Sequence, residues 1–366
     1  MTDGNKFSFN VLHRNKENKI WIVVPDGDAQ HASDTLIHTL GYQPTSIIKP
    51  IATAKNVYVE LRATTIENPY KSELKYLWVE DHRNPASSTI LFKEDSVASV
   101  KIPSDPGTYY YNLLVVADQD SAWFQTMIRR EENEILAYDI DNEDTPWMNE
   151  AILYQITPHV FVENGQYEDI TAKLPELKEL GINTLWLQPV FKSHRKGSQG
   201  YDVVDYFSLN PYLGSEEALR ELITTAKNMN MRVLFDVVLN HSSLYHPYAI
   251  DRVKHGEASH YYDFYQYEDD GTPYSSFYNQ DENGFINYFW PHLPNFNYDN
   301  EEVQRWMLEA CKHWIREFDI DGYRLDAIWG VNARKPSFAK RLRTELKSIK
   351  PEVLLLAEAK GSDPEV

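Results

Sequence analysis

Up to about residue 130 the apolar positions fall in short β-branched and aromatic runs, and none repeats at helical spacing. Ile20–Val24, Val57–Leu61 and Val97–Ile102 read as strands. Ser104-Asp105-Pro106-Gly107 marks a turn, and Tyr109 to Val116 follows as a long strand that Ala122 to Ile128 can pair with. This pattern predicts an antiparallel sandwich of about immunoglobulin size. Residues 131 to 147 are acidic and irregular, and read as a linker.

After Trp147 the rhythm alternates between strand and helix. Ile152–Ile156, Thr184–Leu187, Val233–Asp236, a short run ending at Asp326, and Val353–Ala357 read as five buried strands. Helical spacing lies between them. Ile170, Leu174, Leu177 and Leu180 form one face, with Gly181 as the residue after the helix. Pro175 is expected only in a first turn. Ser215 is expected to cap a second helix and Asn300 a third, while Ser337 opens a fourth. The chain runs 90 residues from Asp236 to Asp326. A strand–helix–strand unit needs only about 30, so an insertion is expected at about 242–299. Repeated units with polar residues at the strand ends predict an α/β fold of the (β/α)8 TIM-barrel kind. A doubly wound sheet ranks lower, because no Gly-rich phosphate turn follows the first strand.

The expected domains are therefore a β-sandwich at 1–130, a linker at 131–147, and the N-terminal part of a barrel at 148–366. Five strands are counted where a closed barrel needs eight. The expectation is an incomplete barrel, a fragment of a longer enzyme that is not competent by itself.

Composition narrows the function. The net charge of −19 argues against nucleic acid or an anionic membrane as partner. The single cysteine, Cys311, excludes an internal disulfide and reads as a core residue. Met1 to Lys6 show no apolar leader and no run is long enough for a membrane span, so a cytoplasmic location is expected. Tyr261–Tyr265 and Tyr288–Trp290 put aromatics in loop-like stretches. Aromatic platforms beside carboxylates suit sugar rings, although most such residues serve packing.

Two carboxylates carry the candidate chemistry. Arg324 stands two residues before Asp326, so both side chains leave one face of a strand. An arginine there holds a carboxylate ionised, which suits a nucleophile, though a structural ion pair has the same pattern. Glu358 ends the next strand, an apolar run expected to favour its protonated form. Carboxylates with opposed environments are what glycoside hydrolysis with retention requires.

Asp236-Val237-Val238-Leu239-Asn240-His241, Gly322-Tyr323-Arg324-Leu325-Asp326 and Glu358 resemble three motifs of the α-amylase family of glycoside hydrolases. Leu293-Pro294-Asn295-Phe296-Asn297 is similar to a motif in that family's inserted domain. Gly200-Tyr201-Asp202 and Tyr154-Gln155-Ile156 fit its early strands. The resemblance covers residue 150 to the end. It implies Asp326 as nucleophile and Glu358 as general acid/base, with Arg324 orienting Asp326. It implies that His241 binds a sugar hydroxyl, that Tyr201 stacks on the ring, and that Asp236 supports Arg324. Asn240 matches a calcium ligand of some members, so Ca2+ is possible but no cofactor is required. Gln199 replaces a histidine of many relatives, and Ala327–Gly330 lacks the Lys-His pair of starch-degrading members. With a β-domain ahead of the barrel, the arrangement is similar to relatives that degrade cyclomaltodextrin and pullulan. Malto-oligosaccharides are the implied substrates, with α-1,4 or α-1,6 bonds. A transferase or isomerase of the same family and a non-enzymatic carbohydrate-binding relative are the alternatives.

Overall fold

The computed structural model describes residues 17–20, 23–26, 29–32, 36–39, 46–55, 58–68, 71–117, 120–163, 165–267 and 279–359. The chain forms two compact units, Met1–Pro44 and Thr45–Val366. In the first, Glu17–Ile20 pairs antiparallel with Leu36–Thr39, and Val23–Asp26 with Ala29–Ala32. The expected run Ile20–Val24 is thus split between two pairs, and its Trp21 and Ile22 lie outside the described residues.

The second unit begins with two antiparallel sheets of four strands. One orders Ile47–Lys55, Tyr58–Glu67, Val97–Lys101 and Thr89–Leu91. The other orders Ile135–Ala137, Asp120–Arg130, Gly107–Ala117 and Leu74–Glu80. Alternating side chains from both sheets meet in one core, with Ile48, Val59, Leu61 and Val100 against Trp78, Tyr109, Leu113 and Phe124. From Ile135 onward the stretch 131–147 packs at intervals, while 131–134 are exposed. It supplies the strand Ile135–Ala137, and Tyr138, Ile140 and Trp147 are buried.

A five-stranded parallel sheet follows, formed by β1 (Leu153–Ile156), β2 (Thr184–Leu187), β3 (Arg232–Val238), β4 (Gly322–Asp326) and β5 (Leu354–Ala357). The strands lie in chain order with no reversal. That is the winding of a barrel wall, whereas a doubly wound sheet reverses at a switch point. Helices α1 (Tyr167–Glu179), α2 (Glu216–Asn228), α3 (Glu301–Phe318), α4 (Ile328–Arg334) and α5 (Pro336–Ile349) join or follow them. Their apolar faces (Ile170, Leu174, Leu222, Met307, Trp314, Leu342 and Leu346 among them) pack into the same core as Leu185, Phe235 and Tyr323 of the strands. Gly322 is required by this packing, because its φ is +152° and a Cβ there would lie 2.0 Å from the Leu354 carbonyl oxygen.

Ser215 Oγ accepts from the Ala218 N–H and Asn300 Oδ1 from the Glu302 N–H, so both expected caps form. Three helix expectations need correction. Helix α1 continues through Pro175, held by buried Leu174 and Leu177 on either side of it. Leu180 falls beyond its end and is exposed. Helix α5 starts at Pro336 with no side-chain cap, so Ser337 does not open it; proline suits the first helical position because it lacks the N–H. The insertion after β3 holds the helix Pro247–His255 and the strand pair Asn279–Gln280 with Ile286–Asn287. It returns to the strand ends through the isolated pairing of His241 with Asn295.

Candidate active site

The register of the sheet assembles the site. Asp236 on β3 lies beside Arg324 on β4, and Val238 beside Asp326. Leu325 pairs with Ala357, and the Glu358 N–H continues the ladder to the Leu325 carbonyl at 3.1 Å. Glu358 therefore follows one step past β5, next to Asp326. Side chains two apart share a face, so Arg324 and Asp326 emerge together.

One guanidinium serves three carboxylates. Arg324 Nη1 donates to Asp236 Oδ1 and Oδ2 at 2.9 and 3.0 Å and to Asp326 Oδ1 at 2.8 Å. Its Nη2 lies 2.8 Å from Glu358 Oε1. Because the guanidinium fork is rigid, these Asp326 and Glu358 oxygens lie within about 8 Å of each other. Tyr201 Oη and Trp186 Nε1 both donate to Asp236 Oδ2, at 2.9 and 3.0 Å, and the Trp186 ring lies beneath the Arg324 guanidinium at 5.1 Å. The site thus brings together Asp236, Arg324, Asp326, Glu358 and Tyr201.

His241 stands at the rim. It is buried, its Nδ1 lies 3.3 Å from Asn240 Nδ2, and its Nε2 has no hydrogen-bond partner among the described residues. Burial pushes its pKa down to about 3, so at neutral pH the ring is uncharged. Phe289 packs edge-on against it with centroids 5.5 Å apart.

The electrostatics depart from expectation. Asp326 was expected to be held ionised by Arg324. Burial, with Asp236 adding to it, instead pushes its pKa up to about 7; Arg324 opposes this and Glu358 reinforces it. Burial also raises Asp236 to about 6, against the pull of Arg324. One positive charge shared among three carboxylates does not offset their burial and mutual repulsion. Glu358 was expected in apolar surroundings. Its side chain is 43% exposed, pairs with Arg324, and accepts the Ala327 N–H at Oε2 at 2.7 Å. It sits beyond the apolar run, at the mouth of the sheet, where charged partners reach it.

Sequence reasoning missed Trp186 and the Ala327 N–H. Trp186 had a cue, since a buried indole in a strand needs an acceptor. Ala327 had none: its left-handed backbone (φ 46°, ψ 31°) is unusual for a residue with a Cβ.

Calcium does not fit Asn240. Its Oδ1 accepts from Arg334 Nη2 at 2.9 Å and its Nδ2 donates to Asn295 Oδ1 at 2.8 Å, so a fixed cation already occupies the oxygen. Among the described residues no group of three or more His, Cys, Asp or Glu is placed to hold a metal ion. Cys311 is buried, and burial pushes its thiol well above the ordinary range.

A chain-order parallel sheet with a carboxylate cluster at its C-terminal mouth is the arrangement of a TIM-barrel wall with its site at the strand ends. Residues 118–365 match the model of the alpha amylase catalytic domain, and the chain belongs to that family. It is 31% identical over 236 residues to a maltogenic alpha-amylase of Bacillus acidopullulyticus, covering 58% of this chain and 39% of that one. It is 31% identical over 266 residues to a cyclomaltodextrinase of Geobacillus thermopakistaniensis, covering 70% and 43%. Among solved structures, a debranching enzyme of Nostoc punctiforme matches with TM-score 0.53 and 27% identity, over 61% of this chain and 50% of that one. The chain spans about two fifths of the length of these curated relatives.

Proposed function

We propose that the chain carries the nucleophile and the acid/base of a retaining glycoside hydrolase acting on malto-oligosaccharides or related α-glucans. The observation that carries this reading is the Arg324 guanidinium, which holds Asp326 and Glu358 together on adjacent strand ends. Retention needs carboxyl groups roughly 5 to 5.5 Å apart, and inversion needs about 6.5 Å or more. The bridging arginine keeps the two oxygens within about 8 Å, and the retaining alternative is supported by the likeness of the motifs to the α-amylase family.

In the first step a protonated Glu358 gives its proton to the glycosidic oxygen. An Asp326 carboxylate oxygen bonds to the anomeric carbon, and the leaving sugar departs as an alcohol. In the second, Glu358 takes a proton from water. The water oxygen bonds to the anomeric carbon and the Asp326 ester breaks, which regenerates both carboxyl groups. Arg324 orients Asp326, Asp236 fixes Arg324, Tyr201 offers its ring to the sugar, and the neutral His241 is the partner for a sugar hydroxyl that the likeness to the family suggests.

The relatives' names support the substrate class: maltogenic amylase, cyclomaltodextrinase and a type III pullulan hydrolase of Thermococcus kodakarensis (TM-score 0.50, 25% identity, 84% of this chain and 59% of that one). We also read the two antiparallel sheets as an immunoglobulin-like domain ahead of the barrel. The five described strands are read as the N-terminal part of an eight-stranded wall. A cytoplasmic location is proposed because an intracellular maltogenic amylase of Bacillus subtilis is 32% identical over 236 residues. No helix of the described residues is long and apolar enough to cross a membrane.

To test the proposal, the 366-residue chain and any longer natural polypeptide containing it are assayed on maltotriose and an aryl maltoside, with Asp326→Asn as control. Asp326-dependent hydrolysis releasing the α-anomer first supports it. Release of the β-anomer, or no hydrolysis by the longer polypeptide, overturns it. Hydrolysis by the 366-residue chain alone, as a monomer, overturns only the reading of an incomplete barrel.

A further inference from the structure

Trp186 has no part in the two chemical steps, yet it touches both members of the ion pair behind them. On β2 it pairs with Leu234 of β3, two residues short of Asp236. Successive side chains alternate, so Leu185, Leu187 and Phe235 turn to the core under the helices, while Trp186 and Asp236 share the opposite face. Its two contacts differ in sign. Nε1–H donates to Asp236 Oδ2 at 3.0 Å, and Arg324 Cζ lies 5.1 Å from the ring centroid. The π-face of an indole attracts a cation, and among aromatic side chains only tryptophan combines that face with a donor that does not titrate.

Asp236 depends on such donors. Its side chain is completely buried, which raises it to about 6, while hydrogen bonds from Arg324, Tyr201 and Trp186 pull it down. Asp326 on β4 and Glu358 beyond β5 are the other charged groups against the pair. Arg324 Nη1 makes three hydrogen bonds, and two of them go to Asp236. With Asp236 protonated or turned away, Nη1 would lose the partners that fix its direction. Tyr201 also donates to Oδ2, but from a loop, and it is the residue proposed to meet the sugar. Trp186 donates from a strand, which holds a side chain more tightly.

We infer that Trp186 is a positioning residue. Its indole clamps the Asp236–Arg324 pair, with the N–H on the anion and the ring face against the cation, and so fixes how Arg324 presents its nitrogens to Asp326 and Glu358. The inference rests on the proposed hydrolase reading and deepens it, by adding a residue that acts through the cluster without meeting substrate. Its loss is therefore expected in kcat rather than in KM.

Trp186→Phe keeps a ring face and removes the N–H. Replacing Trp186 by benzothienylalanine, which has sulfur in place of the N–H, removes the donor with the indole's shape kept, so the test survives if the phenylalanine variant folds poorly. The Asp236 carboxyl is followed by carboxyl-carbon NMR from pH 4 to 9 in the 366-residue chain, with Asp236→Asn to identify its signal. Its titration midpoint should rise by about one pH unit in both proteins, with aspartates outside the cluster unmoved. In an active polypeptide containing the chain, kcat on the aryl maltoside should fall about tenfold while KM stays within about twofold. An unmoved Asp236 midpoint overturns the inference, as does a shift shared by aspartates outside the cluster or a loss confined to KM. The two failures separate. Asp326-dependent hydrolysis with an unmoved Asp236 sinks only the clamp. A moved Asp236, with no hydrolysis by any polypeptide containing the chain, sinks only the catalytic reading.

Discussion

The backbone N–H of Ala327, the residue directly after Asp326, donates to Glu358 Oε2 at 2.7 Å. The peptide that carries one candidate carboxylate thus positions the other. Ala327 achieves this in the left-handed region, at φ 46° and ψ 31°, where a Cβ is strained. It is fully buried beside Trp329 and Tyr288.

That conformation gives a first prediction. Ala327→Val adds a β-branched side chain where left-handed backbone and close packing both oppose it. The change should cost more than about 2 kcal/mol in urea unfolding. A loss under about 0.5 kcal/mol would show that the backbone at this turn is ordinary.

Glu358→Gln keeps the shape and removes the proton. Turnover of maltotriose should fall by about 10²–10⁴-fold, the usual contribution of a general acid. Turnover of α-maltosyl fluoride, whose leaving group needs no proton, should fall far less. Equal losses on both substrates, in whichever polypeptide containing this chain is active, would contradict the acid role.

Four of the five strand ends were legible because a short apolar run meets a polar residue there; β3 instead runs two residues past the expected end at Asp236, to Val238. Their period separates cleanly from the helices between them. Asp236, Arg324, Asp326 and Glu358 were legible for the same reason: parallel strands in chain order place corresponding ends side by side. The protonation of the cluster was not legible. It depends on three carboxylates sharing one guanidinium, and the sequence shows Arg324 beside Asp326 without showing that Asp236 binds the same Nη1 while Glu358 takes Nη2. Helix α4 carries no cap and follows directly on the Ala327 turn, so nothing in local pattern announces it. The packing of 131–147 was hidden by its acidic composition. Its hold comes from distant residues, such as Lys347, whose Nζ donates to Tyr138 Oη at 3.0 Å and Thr145 Oγ1 at 2.9 Å.

Lys347 yields a third prediction. It is fully buried, and its Nζ also donates to the Pro351 carbonyl at 3.0 Å. Burial pushes its pKa down to about 7, with Arg343 adding to the effect. The folded state therefore binds fewer protons than the unfolded state between about pH 7 and 10, and stability gains from this residue as pH rises through that window. Lys347→Met removes the titration. Urea unfolding at pH 7, 8, 9 and 10 should show a shallower rise for the variant than for the parent; parallel curves would mean that Lys347 titrates normally.

The same linkage applies to Asp326 with the opposite sign. Its carboxyl is raised to about 7 by burial and by Asp236, from an ordinary value of 3.8. Between about pH 4 and 7 the folded state holds the proton more tightly than the unfolded chain, so this residue's contribution to stability is full at the acid end and is lost as pH rises toward 7. Asn in its place has no proton to lose and still offers an oxygen to Arg324 Nη1. Asp326→Asn should therefore match the parent near pH 4 and exceed it by about 1–2 kcal/mol at pH 8, a figure reduced from the full linkage because Asp236 and Glu358 relax when one of the three charges is removed. The variant should be inactive as well as more stable, since a nucleophile held against burial and like charges costs stability to keep. Circular-dichroism melting at pH 4, 6 and 8 decides the point. A variant less stable than the parent at pH 8 would mean that Arg324 does hold Asp326 ionised, and that the cluster is arranged for charge pairing rather than for a raised carboxyl.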